Sequence, residues 1–287
     1  MPDRRPPADR MPRLITLLTD FGFRDPFVGV MKGVIAGISP GARVVDLTHG
    51  VAAQDVEQGG FLWAQAVPYF PRHTIHVAVV DPGVGSDRRV VAVKTAAAVF
   101  LAPDNGIIAH VVEPSEIRKA VEVQNRRYFL DQVSNTFHGR DVFAPVAARL
   151  ANGLALGRLG PEIDDLRIPE RRSSRVEAVP GHPNRLRMVG KIQDVDRFGN
   201  CVTDIAVDNP DDVLSVQIGR RRLSGLVRSY SAVPVGKPLA VVGSAGWIEI
   251  AVRDGRADAT LGIGRSDTIK VVMRQPGRRE RSPRKRR

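Results

Sequence analysis

Short apolar runs alternate with segments of helical spacing through the first part of the chain. Residues 14–18 form one such run and end at Thr19-Asp20-Phe21-Gly22. Within 27–38, Phe27, Val30, Met31, Val34, Ile35 and Ile38 recur at intervals of three and four, which predicts a helix with one apolar face. Val44-Val45 predicts a second strand, ending at Asp46-Leu47-Thr48-His49, and a helix follows over about 55–67. Residues 74–80 are nearly all apolar and predict a buried strand. Two more strands are expected at 90–93 and 99–102, the latter ending at Pro103-Asp104-Asn105-Gly106. Strand–helix alternation of this kind predicts an α/β domain with a largely parallel sheet. Asp20, Asp46, Asp81 and Asp104 each stand at or just after an apolar strand. Parallel strands would bring all four to one sheet edge, where open α/β sheets bind their ligands.

The pattern changes after about residue 165. Residues 167–185, rich in Arg, Ser and Pro, read as a linker. From 186 onward the strands are short and closely spaced, at 213–218, 239–242, 247–252 and 268–273. Asp254-Gly255 and Phe198-Gly199-Asn200 supply turn chemistry between them. This predicts a small all-β domain, a barrel or a sandwich. The expected organisation is an α/β domain over 13–166, the linker, and an all-β domain over 186–273. A polar extension precedes them at 1–12 and a tail follows at 274–287.

Composition narrows the classes. The chain has 287 residues, 43% of them hydrophobic, enough for two cores. No apolar run approaches the roughly 20 residues of a membrane span. The start of the chain lacks the apolar core of a signal peptide. Cys201 is the only cysteine, which leaves no internal disulfide and no multi-cysteine zinc site. Together these features predict a cytoplasmic protein. The net charge of +12 is concentrated at the ends, with +7 in residues 274–287 and +2 in residues 1–13. The basic tail reads as disordered, either merely solvated or making weak nonspecific phosphate contacts with nucleic acid.

Asp81-Pro82-Gly83-Val84-Gly85 places a carboxylate where a strand gives way to a loop, and Arg88 follows within folding-back reach. From the residues alone this is a metal site, a phosphate loop or a ribose clamp. No third glycine completes a dinucleotide fingerprint, and no P-loop or compact His-containing ligand cluster supports metal chemistry. His138 stands beside a glycine in a polar segment just before an apolar helix, a setting suited to proton chemistry. His49 is either functional or a turn residue. Asp20 can accept hydrogen bonds from ribose hydroxyls. Asp25 reads as an N-cap ahead of Pro26. Residues 194–204 contain a turn between strands, and the small residues 243–246 permit close approach of a ligand or another chain. Glu249 either contributes there or faces solvent.

Taken in order, Thr19-Asp20-Phe21-Gly22, Asp81-Pro82-Gly83-Val84-Gly85 with Arg88, Pro103-Asp104-Asn105-Gly106, Phe137-His138-Gly139-Arg140-Asp141 and Phe198-Gly199-Asn200 resemble the S-adenosyl-L-methionine (SAM) hydroxide adenosyltransferases. That family is the sister of the fluorinases and chlorinases. The resemblance spans about 14–273. It implies a Rossmann-like α/β N-terminal domain, a C-terminal β-barrel and a homotrimer whose ligand lies between neighbouring subunits. The implied reaction is hydrolysis of SAM to adenosine and L-methionine, with SAM as substrate and neither cofactor nor metal. The family triad falls on Asp81, Arg88 and His138, and the ribose-binding acid on Asp20. Asn200 and Ser244 match positions at the nucleoside and methionine ends. Asp25, His49, Asn105, Asp196, Glu249 and Ala257 are further implied substrate contacts. Halogenating relatives carry tyrosine in place of Asp81. The chain departs from the family pattern at Asp204 and Gly243, where asparagine is commoner. Two other functions stay open: a non-catalytic adenosine- or SAM-binding module, and a nucleic-acid-associated protein acting through its tail.

Overall fold

The computed structural model describes residues 14–169 and 174–275. The extension at 1–12 and the tail from 276 onward lie outside the described residues. The chain divides between residues 170 and 171 into two compact units.

The first unit is built on β1 (Leu14–Thr19), β2 (Arg43–Thr48), β3 (Ile75–Val79), β4 (Val90–Lys94), β5 (Val99–Pro103) and β6 (Lys119–Glu122). Their order in the sheet is β2-β1-β3-β5-β4-β6. The first four of these are mutually parallel, while β4 at one side pairs antiparallel with both β5 and β6. A parallel sheet is covered on both faces, so its strands read as continuous apolar runs, and every residue of β3 is buried. On one face α1 (Phe27–Ile38) and α3 (Ala144–Ala151) pack Met31, Ile35 and Val146 against Ile15, Leu17 and Val77. On the other, α2 (Val56–Ala66) inserts Trp63 against Ala78, Val80 and Phe100. Asp55 caps α2 by accepting from Gln58 N at 2.9 Å.

Helix α1 follows its predicted span but not its whole predicted face. Val28, Met31 and Ile35 are buried, whereas Phe27 and Val30 point outward. Phe27 instead meets Phe137 edge-on, with ring centroids 5.0 Å apart.

The second unit contains β7 (Arg175–Ala178), β8 (Arg185–Val195), β9 (Cys201–Ala206), β10 (Val213–Ile218), β11 (Arg221–Ser224), β12 (Pro238–Val242), β13 (Trp247–Val252), the short helix α4 (Ala257–Leu261) and β14 (Thr268–Arg274). Its antiparallel order is β11-β10-β14-β8-β9-β13-β12, with β7 added beside β8. Val227, just past β11, donates its N–H to Ala240 O at 2.8 Å, bringing the sheet's two ends together in a barrel-like form. Ile192, Ile205, Val216, Ile250 and Val271 fill the interior. Cys201 is buried there, and burial with nearby carboxylates pushes its thiol up to about 12.

The stretch 167–185 is only partly a connection. Arg167 N donates to Asp104 Oδ1 at 2.9 Å, tying it to the first unit, and 175–178 form β7. Arg and Ser dominate this segment, so its alternation is too weak to signal an edge strand. Strand β14 likewise runs through Arg274, into the stretch assigned to the tail. Among the described residues no helix is long and apolar enough to cross a membrane.

Candidate active site

The C-terminal edge of the parallel strands carries the four aspartates, but the structure gives each a different partner. Asp20 Oδ2 accepts from Gln54 N at 2.7 Å. Asp46 lies inside β2 and is held by Lys32 Nζ at 2.6 Å. Its Oδ1 stands 3.0 Å from His49 Nε2, near enough for attraction without the alignment of a hydrogen bond. Burial alone would raise the Asp46 carboxyl, but Lys32 and His49 hold it below its ordinary value. Asp104 pairs with Arg89, and Asp81 pairs with Arg88. The acids therefore do not pool into one carboxylate cluster. Among the described residues no group of three His, Cys, Asp or Glu side chains could share a metal ion.

Asp81 leaves the sheet two residues after β3. The chain turns at once, with Val84 N donating to Asp81 O at 3.2 Å and Ser86 Oγ to Gly83 O at 2.7 Å. Gly85, at φ +79°, lies where a β-carbon would overlap the Asn135 carbonyl, so only glycine lets this loop close on the segment that carries His138. The turn folds Arg88 back onto Asp81. Its Nε lies 3.0 and 2.9 Å from the two carboxylate oxygens, and Nη2 also meets Oδ2. The same Nη2 reaches His138 Nδ1 at 2.8 Å. Arginine only donates, so Nδ1 is the acceptor and neutral His138 carries its proton on Nε2. Burial first, then the Arg88 charge, pushes His138 below the ordinary value of 6.5. Asp81 and Arg88 are themselves well buried, with side-chain exposures of 5% and 13%. The result is a largely buried ion pair whose guanidinium is shared with a neutral imidazole.

Other expected residues of this unit fall around that centre in supporting positions. Thr19 pairs with Val79, so Asp20 and Asp81 leave neighbouring strands close together. His49 is fully buried, contacts Thr19 Oγ1 at 2.8 Å through Nδ1, and accepts Gly22 N at its carbonyl. Asn105 donates to Val80 O at 2.8 Å and so fastens the end of β3. Asp25 is not the cap expected for α1. Pro26 occupies that position with no capping side chain, and Asp25 lies exposed in the preceding loop.

In the barrel, Asp196 and Asn200 form a tight turn. Asp196 Oδ1 accepts from Phe198 N and Asn200 N at 2.8 Å, and Oδ2 from Asn200 Nδ2 at 3.0 Å. Ala257 N donates to Gly199 O at 3.0 Å, so α4 begins against this turn. Ser244 is exposed in the β12–β13 hairpin, whose strand β13 carries Glu249. Tyr230, unmarked by any sequence pattern, donates its hydroxyl to Glu249 Oε2 at 2.8 Å. Burial, that bond and the charges of Glu249 and Asp196 push the Tyr230 phenol up to about 12.

Residues 15–160 match the SAM hydroxide adenosyltransferase N-terminal domain, and residues 190–270 match its C-terminal domain. The chain belongs to the SAM hydroxide adenosyltransferase family. A protein named (R)-S-adenosyl-L-methionine hydrolase from Salinispora tropica is 36% identical over 259 residues, covering 90% of this chain and 97% of that protein. One of the same name from Thermus thermophilus is 36% identical over 268 residues, covering 91% and 100%. A crystal structure of an uncharacterized conserved protein from Thermotoga maritima superimposes with a TM-score of 0.82 at 36% identity, covering 90% and 99%. Fluorinases match at lower identity.

Both departures from the pattern of the SAM hydroxide adenosyltransferases have local settings. A β-carbon at Gly243 would overlap the Glu249 carboxylate, so glycine leaves room for the acid that Tyr230 holds. Asp204 Oδ1 accepts from Lys191 N at 2.7 Å, and burial pushes its carboxyl up. Asp204, Lys191 and Lys270 line a cavity of about 840 Å³ on the barrel. That cavity touches none of the expected site residues. The ionisable groups of Asp81, Arg88 and His138 converge elsewhere, in the kind of buried setting that perturbs proton affinities.

Proposed function

We propose that this chain hydrolyses SAM to adenosine and L-methionine at Asp81, Arg88 and His138. The observation that carries the reading is the buried Asp81–Arg88 pair whose guanidinium also reaches His138. Water attacks the ribose C5′. The C5′–sulfur bond breaks with its electrons passing to sulfur, so the sulfonium becomes the neutral thioether of methionine. The water retains one hydrogen in the new 5′-hydroxyl and releases one proton. A neutral thioether leaves without acid help, so the difficulty lies in the nucleophile. Arg88 orients the water and stabilises its developing hydroxide character. The carboxylate of Asp81 keeps acceptor sites beyond those Arg88 occupies and takes the proton. His138, neutral, fixes the guanidinium. Placement in line with the C5′–sulfur bond supplies much of the rate.

Asp20 serves the ribose hydroxyls through the oxygen not committed to Gln54. Asp25, His49 and Asn105 belong to the same subsite, His49 and Asn105 by shaping it. Asp196, Asn200 and Ala257 would receive the nucleoside, and Ser244 and Glu249 the methionine end. In a homotrimer these barrel residues would serve the first domain of a neighbouring copy. A cytoplasmic setting suits the single buried thiol. The Asp81 carboxylate disfavours a halide as nucleophile, since like charges repel strongly out of water.

The test is incubation with SAM, quantifying adenosine and methionine. Equal amounts of the two are expected, with turnover falling about 10²–10³-fold in Asp81→Asn. Tight adenosine binding without products would favour the non-catalytic module instead.

A further inference from the structure

The motif that contributes His138 also contains Arg140 and Asp141, to which the proposed reaction gives no part. Asp141 lies in a single turn of π-helix, Gly139–Phe143, that starts directly after His138. Such turns recur at functional sites. Its side chain is fully buried yet fully bonded. Oδ2 accepts from Ser134 N and from Ser134 Oγ, both at 2.8 Å, and Oδ1 accepts from Arg140 Nε at 2.5 Å. Ser134 Oγ also accepts from Phe137 N at 3.1 Å, and Leu130 N donates to Asp141 O at 3.0 Å. The Arg140 guanidinium in turn lies 5.3 Å from the centre of the Phe137 ring. The loop 130–137 and the π-turn are thus sewn together on both sides of His138, and Asp141 is the common knot. Only the carboxylate of this pair is buried, since the Arg140 side chain is 38% exposed, and a pair with one partner in solvent adds little stability, so its presence here calls for another role.

We infer that Asp141, together with Ser134, is a positioning residue for the triad: it pins loop to π-turn so that His138 Nδ1 stays aimed at Arg88. This rests on the hydrolase reading for its kinetic consequence, but not for its geometric one. The charged groups facing His138 are Arg88, which pushes its proton affinity down, and Asp81 and Asp141, which push it up. Burial alone would raise the Asp141 carboxyl, but Arg140 and Ser134 hold it below its ordinary value, so it is charged at neutral pH. Removing that charge lowers the His138 affinity further.

The experiment compares Asp141→Asn, Ser134→Ala and Ser134→Thr with the wild-type chain. Turnover of SAM should fall about ten-fold in Asp141→Asn, the lower end of what loss of an outer-shell partner does at metal sites, with KM within about three-fold. Its acid limb should move to lower pH. Ser134→Ala should show a smaller loss of kcat, and Ser134→Thr, which restores the hydroxyl, should recover it. The His138 imidazole is titrated by NMR in the same proteins and should show the same downward shift in Asp141→Asn. Unchanged kcat in folded Asp141→Asn, or lower thermal stability with an unmoved His138 titration, would overturn the inference. If the wild-type chain turns over no SAM, the hydrolase reading fails and the titration still decides this one. Should Asp141→Asn not fold, the alanine–threonine pair at Ser134 decides it through kcat, or, without turnover, through recovery by threonine of the wild-type His138 titration.

Discussion

Two neighbouring arginines, Arg88 and Arg89, each pair with a strand-end aspartate, and the pairs have different surroundings. Both carboxylates are nearly buried, Asp81 at 5% and Asp104 at 6% exposure. Arg89 binds Asp104 Oδ2 through Nε and Nη2, then spends its remaining reach on Asp165, through Nη1 to the carboxylate at 2.7 Å and Nη2 to the carbonyl at 2.9 Å. Asp104 completes the knot by accepting Arg167 N. One cation is neutralised by two acids, and the structure gained is an anchored segment near 165–167. Arg88 has a single acid partner, and its third contact is a neutral imidazole. Same residue types and the same sheet edge give a clasp in one case and the proposed reactive centre in the other, and the third partner distinguishes them.

Lysine substitutions break this comparison most directly, because lysine keeps the charge and loses the fork. Arg88→Lys should lower kcat/KM about 10³-fold, roughly 4 kcal/mol of barrier, since one ammonium cannot serve Asp81 and His138 together. Arg89→Lys should leave kcat/KM within about two-fold but lower the unfolding free energy by about 1–2 kcal/mol in chemical denaturation. Asp165→Asn, at the exposed end of the clasp, should leave the denaturation midpoint unchanged, because solvent screens that contact. Equal kinetic losses in the two lysine variants would erase the distinction.

The pH profile sharpens the same contrast. His138 must be neutral to accept from Arg88, because protonation would set two cations against each other. Burial, then Arg88, puts its folded-state affinity below the unfolded value of 6.5. Activity should therefore persist as pH falls through 6.5 and decline only below it, measured as kcat/KM against pH. The sign for stability is the same. The contribution of His138 is complete above 6.5 and is lost as pH falls toward its folded-state value.

Much of the fold was legible because its strands are buried on both faces and therefore read as apolar runs. The position of Asp81 at a strand end followed from that, and the pairing with Arg88 from their short separation. His138 stood out by its polar, glycine-flanked setting, but its link to Arg88 was legible only through the order of motifs, since fifty residues separate them and no local periodicity joins them. The Arg89–Asp104 clasp was invisible, because nothing in the residue types distinguishes Arg89 from Arg88. Strand β7 was hidden by its Arg- and Ser-rich surroundings, and Tyr230 by a loop without pattern. Asp25 misled because a good capping residue before proline is unused when the proline itself takes the cap position.

In the proposed reaction, water aimed by Arg88 between Asp81 and His138 attacks C5′ of SAM. Running the reaction in oxygen-18 water and weighing the products tests this attack. One heavy oxygen should appear in adenosine, at the 5′ position, and none in methionine. Adenosine without label, or label carried by any other fragment, would contradict it.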